Sequence, residues 1–159
     1  MNLSALLHPD RVKIDLKATD KAGAITELMD FLVSRGALAA KDREAALKAV
    51  LARETSLSTG MEHGVALPHG SVDCVEEPTG ALGISPKGIE FASLDGKRAH
   101  LIVCLLVPRH RTSRHIRTLA GIARLLNNES LRNMLLTART AEESMAVIGA
   151  VEASEGLDL

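Results

Sequence analysis

Apolar positions along this chain follow two periods, and the alternation between them lays out the elements. The opening MNLSALLHPD reads as a short helix stopped before Pro9. In RVKIDLKA, apolar Val12, Ile14 and Leu16 alternate with polar neighbours and predict a strand of about six residues. Ile25, Leu28, Phe31 and Leu32 then recur at helical spacing, with Thr19 or Asp20 as cap and Gly36 as stop. A second helix begins near Lys41 or Asp42 with Ala46, Leu47, Val50 and Leu51 inward and Arg53 in its last turn. TGALGIS and RAHLIVCLLVP are short apolar runs, with strand-like IEFASL and an Asp95-Gly96 turn between them, so a hairpin is expected. Leu101 to Val107 is apolar at nearly every position, the mark of a central strand covered on both faces.

Beyond Pro108 the period is helical again. Thr112 or Ser113 can cap a helix whose inward residues are Ile116, Leu119, Ala120, Ala123 and Leu126. NNES ends it and caps the next, with Leu131, Met134 and Leu135 inward. Thr140 and Glu143 form a capping box for a last helix through about Ile148. Helices before, between and after the strands predict a three-layer α/β/α sandwich, with a central mixed parallel and antiparallel sheet flanked by helices on both sides. Residues 1–150 read as one domain and 151–159 as a frayed C-terminal tail.

Composition narrows the function more than the fold. The 159 residues are 46% hydrophobic and 25% charged with a formal net charge of -1, which gives no bulk reason to expect nucleic acid or membrane. Two Phe, no Trp and no Tyr leave almost nothing to stack on bases or sugars. Cys74 and Cys104 form no CxxC pattern, no secretory signal precedes them, and no apolar run reaches membrane-spanning length. A cytoplasmic protein with reduced thiols and no membrane insertion is expected.

Histidine is the residue type that carries chemical information. His63 and His69 are six apart, but Pro68 argues against one strand carrying both, and no third ligand stands at a metal-binding spacing. Neither a GxSxG elbow nor a GxxxxGK[ST] loop occurs. No metal and no cofactor is expected. What remains is GVALPHGSV, where His69 is displayed after a strand ended by Pro68, with Gly70 allowing close backbone approach. A neutral imidazole can attack phosphorus through one ring nitrogen while a hydrogen bond to the other fixes the tautomer. A phosphoryl group needs cations and donors around it, and Arg53, His115 and the amides near Ser113 are the candidates.

RETSLSTGMEHGVALPHGSV, followed by SRHIRTLAGIARLLNNESLRNML, resembles the enzyme IIA component of the fructose–mannitol type in the phosphoenolpyruvate-dependent sugar phosphotransferase system, a group that includes the nitrogen-regulatory IIA protein. The resemblance spans nearly the whole chain. It implies that His69 accepts a phosphoryl group, with His115 as the second active-site histidine and Arg53 helping to hold the phosphate. It further implies a histidine-containing phosphocarrier protein as donor and a IIB domain or a regulatory target protein as acceptor. One departure stands out: Arg109, Arg111, Arg114 and Arg117 cluster around His115, where family members commonly carry acidic residues. Like charges would oppose a basic donor, which keeps a second expectation open, a non-catalytic IIA-like module docking on a transporter, kinase or transcription factor. A cluster this short does not indicate nucleic acid.

Overall fold

The computed structural model describes residues 3–155, without the side chains of residues 111–114. Its helices of more than one turn are α1 (Leu3–Leu7), α2 (Lys21–Ser34), α3 (Arg43–Ser56), α4 (Thr112–Leu126), α5 (Glu129–Thr137) and α6 (Ala141–Glu155). Five strands, β1 (Val12–Lys13), β2 (Val65–Ala66), β3 (His69–Val72), β4 (Thr79–Ile89) and β5 (Ala99–Pro108), form one mixed sheet. β4 and β5 are antiparallel at its centre, β1 runs parallel to β4, and both β2 and β3 run parallel to β5.

β5 explains its own apolar run. Leu101, Val103, Leu105 and Val107 face one hydrophobic layer, with α1, α4, α5 and α6, whereas Ile102, Cys104 and Leu106 face the other, with α2 and α3. Because both faces are covered from Leu101 to Val107, a polar side chain there would need a buried partner to offset its desolvation. The three-layer α/β/α architecture is the one the periodicity predicts.

Several local signals act as expected. Asp20 caps α2 by accepting from the Gly23 N–H at 2.7 Å, and Gly36, at φ 73°, takes the left-handed turn that ends it. Asn128 caps α5 through the Leu131 N–H, and the Thr140 hydroxyl accepts from the Glu143 N–H at 3.1 Å.

Other expectations are corrected. β1 keeps only two residues, because the chain bends at Ile14 and Asp15 before the Leu16 N–H returns to the Ile84 carbonyl of β4 at 3.0 Å. β4 stops at Ile89, and IEFASL runs on as irregular chain in which Phe91 is buried and Ala92 has φ 51°. α4 buries His115, Thr118, Ile122 and Leu125 while Ile116 is 62% exposed, a rotation of the expected stripe that puts the histidine inward. Ala120 is exposed for the same reason. In α5, Arg132 is buried where Met134 was expected, because its guanidinium donates to the Leu126 and Asn127 carbonyls that α4 leaves open. α6 continues past Ile148 to Glu155, since the Glu152 carboxylate accepts from the Leu3 N–H at 2.7 Å and ties the helix to α1.

Candidate functional site

His69 is the first residue of β3, not a loop residue, and Pro68 does not end the strand before it. Val65 pairs with Leu101, Ala66 with Ile102, His69 with Leu105 and Gly70 with Leu106, so β2 and β3 keep a single register against β5. They are one parallel strand with a gap at Pro68, which has no N–H to donate while its carbonyl still accepts from Leu105 at 2.9 Å. Side chains alternate along it without a break. Val65 and Leu67 pack into the layer of α4, Ala66 and Val72 into the layer of α3, and His69 therefore faces the α4 layer, half-buried.

Gly70 faces α3. A Cβ there would lie 2.9 Å from the Val50 nitrogen and 3.1 Å from the Ala49 carbonyl carbon, so only glycine lets the helix come this close to the strand. Arg53 stands one turn further along that helix. Its Nη1 donates to the Leu57 carbonyl at 2.8 Å, which satisfies an open carbonyl at the helix end. His115 lies in the first turn of α4 with 3% of its surface exposed. The strand edge thus carries His69, with Arg53 in the helix over one face and His115 in the layer on the other.

The His69 ring is oriented by the backbone. Its Nδ1 lies 2.8 Å from the Leu67 carbonyl oxygen. A carbonyl can only accept, so Nδ1 carries the hydrogen, and in the neutral ring Nε2 keeps its lone pair for attack.

Behind this lies a buried carboxylate that the sequence did not single out. Glu54, 4% exposed, accepts from the Thr59 N–H at 2.9 Å and from the Thr59 hydroxyl, and pairs with Lys21 at 3.1 Å. Thr59 lies beside the edge strand, and its carbonyl accepts from the Leu67 N–H at 3.2 Å. In the sequence Glu54 is only the residue that follows Arg53 in the last turn of α3.

Of the arginine cluster, Arg109 reaches back to β3, donating to the Asp73 carboxylate at 3.1 Å and the Ser71 carbonyl at 3.3 Å. Arg117 is exposed, and the side chains of Arg111 and Arg114 lie outside the described residues. His63, at φ 65°, and Glu62 pair weakly at 3.7 Å ahead of β2, away from His69. His100 Nδ1 donates to the Ser85 carbonyl at 2.8 Å and is a structural residue. Among the described residues, no group of three or more His, Cys, Asp or Glu could hold a metal ion, and no helix is long and apolar enough to cross a membrane.

A mixed sheet between two helical layers, with an oriented histidine on its edge strand, defines the class: an α/β/α protein built around the LPHG strand. Residues 5–150 match the model of the phosphoenolpyruvate-dependent sugar phosphotransferase system EIIA 2 family, and the chain belongs to that family. It is similar to the fructose-specific EIIA component of Haloferax volcanii, with 33% identity over 94% of this chain and 96% of that one. A nitrogen regulatory protein of Bradyrhizobium diazoefficiens is 30% identical over 93% of this chain and 95% of its own length. Among solved structures, the nitrogen regulatory protein IIA-Ntr of Neisseria meningitidis superposes with a TM-score of 0.81 and 31% identity, covering 92% of this chain and 98% of that one. Membership places the chain among the phosphocarrier components of the phosphotransferase system.

Proposed function

We propose that this protein is a cytoplasmic phosphohistidine carrier that accepts a phosphoryl group on Nε2 of His69 from a histidine-containing phosphocarrier protein and passes it to a IIB domain or a regulatory target. The observation that carries the reading is the bond from Nδ1–H of His69 to the Leu67 carbonyl, which leaves Nε2 as the nucleophilic atom. In the transfer, the Nε2 lone pair forms a new N–P bond as the N–P bond to the donor ring breaks, and the donor ring regains its electron pair. The positive charge that develops on the His69 ring spreads to Nδ1–H, so its bond to the carbonyl strengthens as the reaction proceeds. Arg53 would leave the Leu57 carbonyl for a phosphoryl oxygen, and His115 would donate to another, since charge stabilisation and positioning supply most of the catalysis in phosphoryl transfer.

The test is incubation with the phosphorylated carrier protein followed by intact-mass measurement. An acid-labile gain of one phosphoryl group, absent in His69→Ala, is expected. No gain, or a gain that survives the substitution, overturns the reading.

A second reading, a regulatory docking module indifferent to its phosphorylation, draws on the exposed Ile116 and Arg117 beside the buried His115. His69→Asp discriminates, because such a module keeps its partners unchanged by the added charge, whereas a phosphorylation-controlled carrier does not.

A further inference from the structure

The orientation of His69 rests on a carbonyl that points to the outer side of its strand, away from β5, beside the one residue of the strand that has no N–H to give. Leu67 lies beside the gap where Pro68 donates nothing to β5. On the outer side, its N–H bonds to the Thr59 carbonyl at 3.2 Å. Thr59 sits in the irregular segment after α3, and a segment of that kind holds one conformation only where its polar groups are anchored. The neighbours of Thr59 are held by other bonds, Ser58 Oγ donating to the Phe91 carbonyl and the Met61 N–H to the Val65 carbonyl at 2.7 Å, and Thr59 itself is held by Glu54. One carboxylate oxygen takes the Thr59 N–H at 2.9 Å, the other takes the Thr59 hydroxyl, and Lys21 sits 3.1 Å from the first. Lys21 is itself held over the Phe91 ring, 5.6 Å from its centroid, and Phe91 is fully buried.

A buried carboxylate is costly unless its hydrogen-bonding capacity is met. Here the three donors on Glu54 come from two residues, and none of them is needed to complete α3. The expense of burying this charge goes into fixing Thr59.

Resting on the phosphocarrier reading above, we propose that Glu54 is a positioning residue for His69. It acts through Thr59 and Leu67 to hold the acceptor ring in the Nδ1–H tautomer with Nε2 facing the donor. Each link runs donor to acceptor: the Thr59 N–H and hydroxyl to Glu54, the Leu67 N–H to the Thr59 carbonyl, and His69 Nδ1–H to the Leu67 carbonyl. Glu54 touches neither the ring nor the phosphoryl group, and no bond to it is made or broken in the transfer. Its effect is on the fraction of His69 rings that present Nε2 in the attacking orientation.

The experiment is long-range ¹H–¹⁵N NMR of the histidine rings in the unphosphorylated full chain, paired with the kinetics of phosphoryl transfer from the phosphorylated carrier protein. The wild type is expected to show His69 in the Nδ1–H form. Glu54→Met, which keeps a similar length and bulk but cannot accept from either Thr59 donor, is expected to show both tautomers and faster exchange of the Leu67 amide. Its kcat should fall by about a hundredfold, as for a misplaced reacting group, with KM for the donor changed little. Thr59→Ser keeps both links to the carboxylate and is expected to retain wild-type behaviour. If Glu54→Met is unfolded, Thr59→Ala, which removes only the hydroxyl link, is read instead and is expected to show the same tautomer mixing in smaller measure.

A folded Glu54→Met or Thr59→Ala protein with His69 still wholly in the Nδ1–H form and an unchanged kcat would overturn the role of Glu54 while leaving His69 as acceptor. A wild type that takes no phosphoryl group would overturn the carrier reading, and the tautomer comparison would still decide what Glu54 does.

Discussion

Replacing Gly70 with Ala probes the contact that seats the His69 strand under α3. The added Cβ would meet the Val50 nitrogen at 2.9 Å and the Ala49 carbonyl carbon at 3.1 Å, whereas ordinary van der Waals contact begins at 3.4 Å. Both are backbone atoms of a helix, so no rotamer change relieves the clash. The helix must back off by roughly half an ångström, which forfeits about a quarter of the dispersion well across its contacts with the strand. Overpacking of this kind costs about 1–3 kcal/mol, and backbone atoms put it in the upper part of that range. The φ of Gly70 is not left-handed, so alanine also restricts the unfolded chain and returns about 0.4–1 kcal/mol. The net expectation is a loss of about 2 kcal/mol, or a fall in Tm of about 4–8 °C for a domain of this size. Gly149→Ala is the control. It lies inside α6 with nothing within 4 Å of the added carbon, so a gain of about 0.5–1 kcal/mol is expected. Urea unfolding of the three proteins decides the matter. A Gly70→Ala protein within about 0.5 kcal/mol of wild type would refute the close approach of α3.

Three further outcomes are expected. Arg53→Ala should lower the rate of phosphoryl transfer to His69 by about a hundredfold while leaving the fold intact, as judged by rapid-quench labelling and circular dichroism, because only an exposed link to the Leu57 carbonyl is lost from the resting protein. Burial pushes the Cys104 thiol up to about 12, so iodoacetamide at about pH 8 should modify Cys74 alone in the native protein and both cysteines after unfolding, counted by mass. Burial also raises the Cys74 thiol, helped by Asp42 and Asp73, so even that reaction should be slower than for a free cysteine. The His63 and Lys97 amides hold the Asp95 carboxyl below its ordinary value. A depressed folded-state value stabilises the protein above the unfolded value and is lost as pH falls through the folded one, so the stability difference between wild type and Asp95→Asn should shrink as pH drops below 3.8.

Much of this architecture could be read in the chain because its signals were local. The caps at Asp20 and Asn128, the turn at Gly36 and the two-sided run of β5 depend on neighbours in sequence, and the structure follows them. What could not be read depended on contacts between distant segments. Pro68 looked like a strand end because its missing N–H is visible in the sequence, whereas the Leu105 N–H and the shared register that carry the strand through it are not. Ile116 looked inward because apolar spacing does not reveal that the sheet would take His115 on that face. Glu54 offered only an acidic residue at a helix end, and its burial follows from Thr59 and Lys21 arriving from either side. His69 itself was conspicuous from Pro68 and Gly70, but the Leu67 carbonyl that sets its tautomer is a backbone group that no residue type advertises.

The most direct test of the central claim is to find which atom carries the phosphoryl group. After reaction of ¹⁵N-histidine-labelled protein with the phosphorylated carrier protein, ¹⁵N and ³¹P NMR should show a single phosphohistidine, at Nε2 of His69. Phosphorylation at Nδ1 of His69, or on any other histidine, would contradict the account.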